Sequence, residues 1–269
     1  RQDGSSPLTR YYAETGTPPG RWVGAALPDI AQGQIGPGDV VSEAQLGWLL
    51  GMLRDPVTRE PLGRRQKDPP SLASRIAHAI EQLPEGLSDT ERAAAVASIE
   101  TAESVREANL RRPVAGFDLT FSAPKSVSAA WAVADEETRQ VITDAMHEAT
   151  ATTLAWAEEH VFHTRTGTNG VVQENVNGVI AAAFDHWDSR ANDPHLHTHV
   201  VVANRAKGAD GKWRTLDSRA IFKSTVTLSE MHEGVVHDLL TQRLGWGWTA
   251  RTRAHSDRPR WDVDGVPDA

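Results

Sequence analysis

Cysteine is absent from the 269 residues. That excludes disulfides and thiolate chemistry, and it fits a reducing cytoplasm. No apolar run approaches the length of a membrane-spanning helix, and no signal peptide is visible. Cations are outnumbered, with 28 Lys and Arg against 36 Asp and Glu, for a net charge of −8. That balance argues against indiscriminate binding to duplex DNA, so any nucleic-acid partner must be held by a local groove. Phenols are scarce: Tyr11 and Tyr12 are the only two tyrosines. The chain opens on Arg1 rather than Met, which suggests a piece excised from a longer protein. Hydrophobic residues at 39% still suffice for a buried core.

Histidine is where the sequence is rich. Four of the eleven lie between positions 186 and 199: His186, His195, His197 and His199. The last three alternate with Leu196 and Thr198 and lead into Val200-Val201-Val202, the pattern of a strand after an Asp193-Pro194 turn. Alternation along a strand puts His195, His197 and His199 on one face. Residues 178–187 read as a second strand, and the polar link 188–194 turns the two into a hairpin that brings His186 near the triplet. Imidazoles gathered on one face suit zinc, manganese, nickel, iron or copper better than magnesium or calcium. Three protein ligands would leave coordination positions open for a substrate. A lone histidine is ordinarily a surface or hydrogen-bonded residue, and Tyr11 and Tyr12, taken alone, read more readily as packing anchors.

Elsewhere the signals are local. Ser42-Glu43-Ala44-Gln45 and Ser88-Asp89-Thr90-Glu91 are capping boxes that open helices to about Leu53 and Arg111. Between them, 54–70 reads as an extended surface loop, and Leu72, Ile76, Ile80 and Leu83 have helical spacing. Phe117 to Ser122 alternates as a strand, with Asp118 opposite Phe117, Leu119 and Phe121. Asp135 caps a long helix to about Glu159. Strands are predicted near 161–166 and 170–187, and a last long helix carries Leu228, Met231, Val235, Leu239 and Leu244 and stops at Gly245. Residues 246–253 and 258–264 read as a closing hairpin. The order implies an α+β fold, an antiparallel sheet with helices packed on one face.

Phe117-Asp118-Leu119-Thr120-Phe121-Ser122-Ala123-Pro124-Lys125-Ser126-Val127-Ser128, then His186, then Asp193-Pro194-His195-Leu196-His197-Thr198-His199, closely resembles the TrwC/TraI-type (MobF) conjugative relaxases of the HUH endonuclease superfamily. Gly211-Lys212-Trp213-Arg214 and the helix after it add to the resemblance, which spans roughly 8–265. It implies a two-layer relaxase palm over a single domain, 1–269, and a metal-dependent enzyme. The activity it implies is nicking and transferring one DNA strand at an origin of transfer through a 5′-phosphotyrosyl intermediate. It assigns the metal ligands to His186, His197 and His199, with a divalent ion (Mn, Zn, Ni or Mg), and to Asp118 a catalytic place beside them, either accepting the tyrosine proton or orienting a ligand histidine. His195 stands where the family usually has another polar residue. Tyr11 and Tyr12 match the family's second tyrosine pair, with Tyr11 the expected nucleophile and Tyr12 the packing partner. The family's first tyrosine lies in a segment upstream of the residues seen here, so slow or undetectable nicking of an intact strand is expected, and transfer from a ready-made 5′-phosphotyrosyl intermediate is the more favourable reaction. The partners implied are single-stranded DNA at an origin of transfer and, in the full-length protein, a fused helicase, with no membrane. Two other readings fit the histidines alone: a phosphodiesterase using metal-bound water, or a DNA-binding module whose structural metal is closed by His195. Lys125, Arg190 and Arg205 lie close in sequence to the site and are candidates either for DNA contacts or for surface ion pairs.

Overall fold

The structure, a computed structural model, describes residues 17–64, 69–110, 113–253 and 256–266. Tyr11 and Tyr12 lie outside the described residues. The chain divides into two compact units, residues 65–114 and the remainder.

The larger unit begins with the short strand β1 (Arg21–Val23) and the helix α1 (Glu43–Leu46). Both bonds of the Ser42–Gln45 capping box are made. The helix then widens into a π turn over Gly47–Gly51, close to the predicted end. The stretch after it is not the extended surface loop that its prolines suggest. Asp55 is buried, and its carboxylate accepts from the backbone N–H groups of Ala31, Val57 and Thr58 at 2.6, 2.8 and 2.8 Å. Leu62 is buried in the core. A carboxylate that satisfies three backbone donors folds a proline-rich segment inward, because those donors would otherwise be buried unpaired.

The smaller unit contains α2 (Leu72–Glu81) and α3 (Asp89–Ala108). Ser71 caps α2, and the Ser88–Glu91 capping box opens α3 as the sequence predicts. Arg75 joins the two helices through ion pairs to Glu103 and Glu107 at 2.7 and 2.8 Å.

The rest of the larger unit runs β2 (Gly116–Ser122), α4 (Lys125–Val133), α5 (Glu136–His160), β3 (His163–Thr166), β4 (Val172–Asn175), β5 (Ala181–Asp188), β6 (Pro194–Ala203), β7 (Ala206–Lys207), β8 (Trp213–Arg214), α6 (Ser218–Leu244), β9 (Trp248–Arg253) and β10 (Ser256–Val263). Four strands form the main sheet in the order β1-β5-β6-β2, every neighbour antiparallel. Asp135 caps α5 and Gly245, at φ 68°, ends α6 in the left-handed region, both as predicted. The predicted strand over 170–187 is broken between β4 and β5. There Gly178 has φ 125°, and a Cβ on it would lie 2.7 Å from the Ala25 side chain.

Period-2 alternation decides what each sheet face does. Phe117, Leu119 and Phe121 of β2 share a face with Ala181, Ala183, Val200 and Val202, and this face packs on Leu154 and Ala157 of α5 and on Ile221 and Leu228 of α6. Each large apolar side chain so buried contributes about 1.5–3 kcal/mol. Among the described residues, the opposite face is covered at one end only. Ala182, Phe184, Val201 and Ala203 lie under Trp22, Leu27, Ile30, Leu46, Leu49 and Leu62 of the N-terminal segment. Cover on both faces explains why β5 begins Ala181-Ala182-Ala183-Phe184 without polar alternation. The other end of this face carries the histidines.

Candidate metal centre

Strand pairing brings the candidate ligands together. His186 of β5 stands directly opposite His197 of β6, and Phe184 opposite His199. On the other side of β6, Thr120 of β2 is opposite His199 and Asp118 opposite Val201. The imidazoles of His186, His197 and His199 each lie 5.1 Å, ring centre to ring centre, from the other two. Their potential ligand atoms fall within 4.8 Å of one another. His186 and His199 are buried and His197 is half-buried.

Hydrogen bonds choose which ring nitrogen is available. Nδ1 of His199 is 2.9 Å from each carboxylate oxygen of Asp118, with the Thr120 hydroxyl 3.2 Å away. Nδ1 of His197 is 2.8 Å from the carbonyl oxygen of His195. An acceptor facing Nδ1 keeps the proton there and leaves the Nε2 lone pair for a metal. Burial, the largest influence, holds His197 below its ordinary pKa, with the neighbouring His199 adding to it against the raising effect of the His195 carbonyl. A neutral imidazole is the form that binds a metal. The donor set fits a divalent transition ion: three imidazole nitrogens, two of the rings oriented by oxygen acceptors, suit such an ion better than magnesium.

A cavity of about 570 Å³ opens beside the cluster. Its walls include His186, His195, His197 and His199, the β5–β6 link at Asp188, Ser189, Arg190 and Asn192, and Thr120 and Thr17. Thr17 matters because Tyr12 is five residues upstream of it. His195 lies tilted against His197, 4.8 Å between ring centres, but stays outside the three-ligand group. Asp118 lines a separate groove of about 340 Å³ between β2 and α6, with Thr120, Thr225 and Ser229. Among the cations near the site in sequence, Arg190 lines the cavity and Lys125 reaches the Pro194 carbonyl at 3.2 Å. Arg205 does neither. It is buried, and its guanidinium donates to the carbonyls of Leu62, Asn204 and Arg64 at 2.7, 2.8 and 3.1 Å.

Sequence reasoning missed one group at this site, Asp185. It is buried on the helix-facing side of β5. Burial alone would raise its carboxyl, but hydrogen bonds from His147 and Arg21 outweigh it and hold the group well below the usual carboxylate range. A charged residue inside a run of Ala and Phe was the one available signal.

The family model described as TrwC relaxase matches residues 1–269. Two multifunctional conjugation proteins TraI from Escherichia coli are similar: one is 34% identical over 168 residues, and that of strain K12 is 30% identical over 173. Each match covers 59% of this chain and 9% of the relative, so the chain spans about a tenth of those proteins. Among solved structures, the metal-bound conjugative relaxase TrwC in complex with oriT DNA superposes with a TM-score of 0.66 at 24% identity, covering 100% of this chain and 74% of that one. A copper-bound form of the same complex gives 0.62 at 25% identity, covering 99% and 71%. The fold is that of these relaxases.

Proposed function

As this chain belongs to the TrwC relaxase family, we propose that it is a metal-dependent, site- and strand-specific endonuclease and strand transferase that acts on single-stranded DNA at an origin of transfer. The observation that carries this reading is the group of three imidazoles on one sheet face, open to a cavity with room for a phosphodiester.

His186, His197 and His199 hold a divalent ion through their ring nitrogens, and Asp118 fixes the His199 tautomer rather than serving as the base. Its carboxylate already faces Nδ1 of His199, which supports this division of work. Such an ion supplies polarisation of the non-bridging phosphate oxygens and neutralises charge that would repel a nucleophile. Tyr11 is the nucleophile. An extended chain spans at most about 3.6 Å per residue, so the six steps from Tyr11 to the cavity-lining Thr17 reach about 20 Å. The phenolic oxygen bonds to phosphorus as the bond from phosphorus to the 3′ oxygen breaks. The phenolic proton leaves to solvent or a base, and the departing 3′ oxygen takes one up. One phosphodiester replaces another, so re-ligation needs no ATP. Arg190 at the rim offers a cation to the DNA backbone.

The whole chain, 1–269, acts as one relaxase domain, carried with a helicase domain in a longer cytoplasmic protein. The small share of the TraI relatives that the match covers supports the longer protein.

A 3′-labelled single strand spanning the origin of transfer, incubated with the chain and Mn²⁺ and run on a denaturing gel, tests the reading. The expected result, on long incubation because nicking of an intact strand is slow, is a labelled band at the mass of protein plus DNA, lost in Tyr11→Phe, retained in Tyr12→Phe and lost on chelation. Cleaved DNA with no covalent band would favour hydrolysis by metal-bound water instead.

A further inference from the structure

The buried carboxylate of Asp185 has partners on three other elements. On β6, the Thr198 hydroxyl donates to Oδ1 at 2.7 Å. On α5, Nε2 of His147 lies 2.8 Å from Oδ2. On β1, the Arg21 guanidinium pairs with both oxygens, Nη2 to Oδ1 at 3.3 Å. Charges inside a protein are costly unless paired and hydrogen-bonded, so such a group persists where it secures an arrangement.

The place of this group in the sheet gives it a consequence. Asp185 is paired with Thr198 in the ladder, and the neighbouring rungs are His186 with His197 and Phe184 with His199. The Asp185–Thr198 bond therefore lies on the reverse side of the sheet, between the two rungs that carry the three candidate ligands. Immediately beyond His186 the ladder loses its regular register, with a bulge between His186 and Asp188. A one-residue slip would turn His186 to the other face. The last regular rungs before the bulge are thus the ones that need a side-chain clasp, and Asp185 with Thr198 supplies it. The Arg21 arm extends the clasp to β1, four residues after Thr17 at the cavity wall.

We infer that Asp185 is a positioning residue for the metal centre: it locks the β5–β6 register through Thr198, so that His186, His197 and His199 converge on one ion. The inference rests on the reading of those histidines as ligands and adds a cause for their convergence.

Co(II) is the probe, because its visible absorption reports ligand number and geometry independently of activity. Calorimetric titration and the Co(II) spectrum are recorded for the unmodified chain, Thr198→Val, Asp185→Asn and His186→Ala, with circular dichroism of each metal-free form. The expected result is a folded Thr198→Val chain whose Co(II) affinity falls by about ten-fold or more and whose spectrum shifts, with Asp185→Asn changing in the same direction. Thr198→Val is nearly isosteric and leaves the carboxylate with Arg21 and His147, so it remains decisive where Asp185→Asn fails to fold. A folded Thr198→Val with unchanged affinity and spectrum, beside a His186→Ala chain that has lost Co(II), overturns the inference and leaves the ligand assignment standing. An unmodified chain that binds no Co(II) overturns both.

Discussion

An imidazole binds a metal through a nitrogen that carries no proton, and at His199 that choice is made by Asp118. Its two oxygens sit 2.9 Å from Nδ1, so the proton stays on Nδ1 and Nε2 is the nitrogen placed to bind an ion in the proposed centre. Asp118→Asn removes the charge and allows the amide to turn its NH₂ toward the ring, which selects the wrong tautomer. Metal affinity measured by calorimetry should fall by about 10- to 100-fold, with the folded state retained because Asp118 lies on the exposed side of β2. Unchanged affinity would show that the carboxylate does not orient the ligand. His197 takes its orientation from a backbone carbonyl instead, which no substitution at a side chain removes.

Elements show where side-chain patterns foretell structure and where distant packing intervenes. The break between β4 and β5 belongs to the second kind. The backbone N–H groups of Val179 and Ala25 both donate to Oε1 of Glu158, at 2.8 and 2.7 Å, and the close approach to Ala25 leaves no room for a side chain at Gly178. Gly178→Ala combines a positive φ with a clash against backbone and should cost about 2–4 kcal/mol. Urea unfolding followed by tryptophan fluorescence measures it, and a loss below about 0.5 kcal/mol would contradict the packing account. The neighbouring strand β6 belongs to the first kind. Alternation alone puts its three histidines on one face, and the turn residues before it bring in His186. Asp118, Ser42, Ser88, Asp135 and Gly245 were legible for the same reason: each does its work within a few residues or on one strand face. The group around Asp185 was not legible, because Arg21 and His147 are 164 and 38 residues away. Nor was the start of α6, where Asp217 caps eleven residues ahead of Leu228, the first apolar position read as helical.

Where α5, α6 and the sheet meet, the buried His232 stacks on Phe121 at 5.0 Å between ring centres. Burial pushes its pKa down to about 4, against about 6.5 for a free side chain. It is therefore neutral in the fold. Below pH 6.5 the unfolded chain takes up a proton that the folded chain refuses, so stability is full above about 6.5 and falls as pH drops toward 4. This one residue accounts for about 3 kcal/mol over that window. Urea midpoints between pH 7 and pH 4 should fall less steeply in His232→Gln than in the unmodified chain. Parallel slopes would show that His232 is not held neutral.

At the scale of the whole molecule, an acidic protein of net charge −8 must bind a polyanion through a local surface. Among the described residues, Arg190 at the cavity and Lys125 beside Pro194 are the cations placed there. Few phosphates are thereby neutralised, so log affinity for a single strand spanning the origin of transfer should fall with log salt at a slope of only about −1 to −2. Fluorescence anisotropy should give a clear preference for that strand over random duplex, and equal affinities would remove the specific cleft. All of this presupposes that the sheet gathers three imidazoles into one metal centre, which direct titration decides. Mn²⁺ or Co(II) titrated into the unmodified chain should bind at one ion per chain. Binding should vanish in His186→Ala, His197→Ala and His199→Ala, and persist in His195→Ala. Loss of the ion in His195→Ala alone, with the other three still binding, would contradict the account.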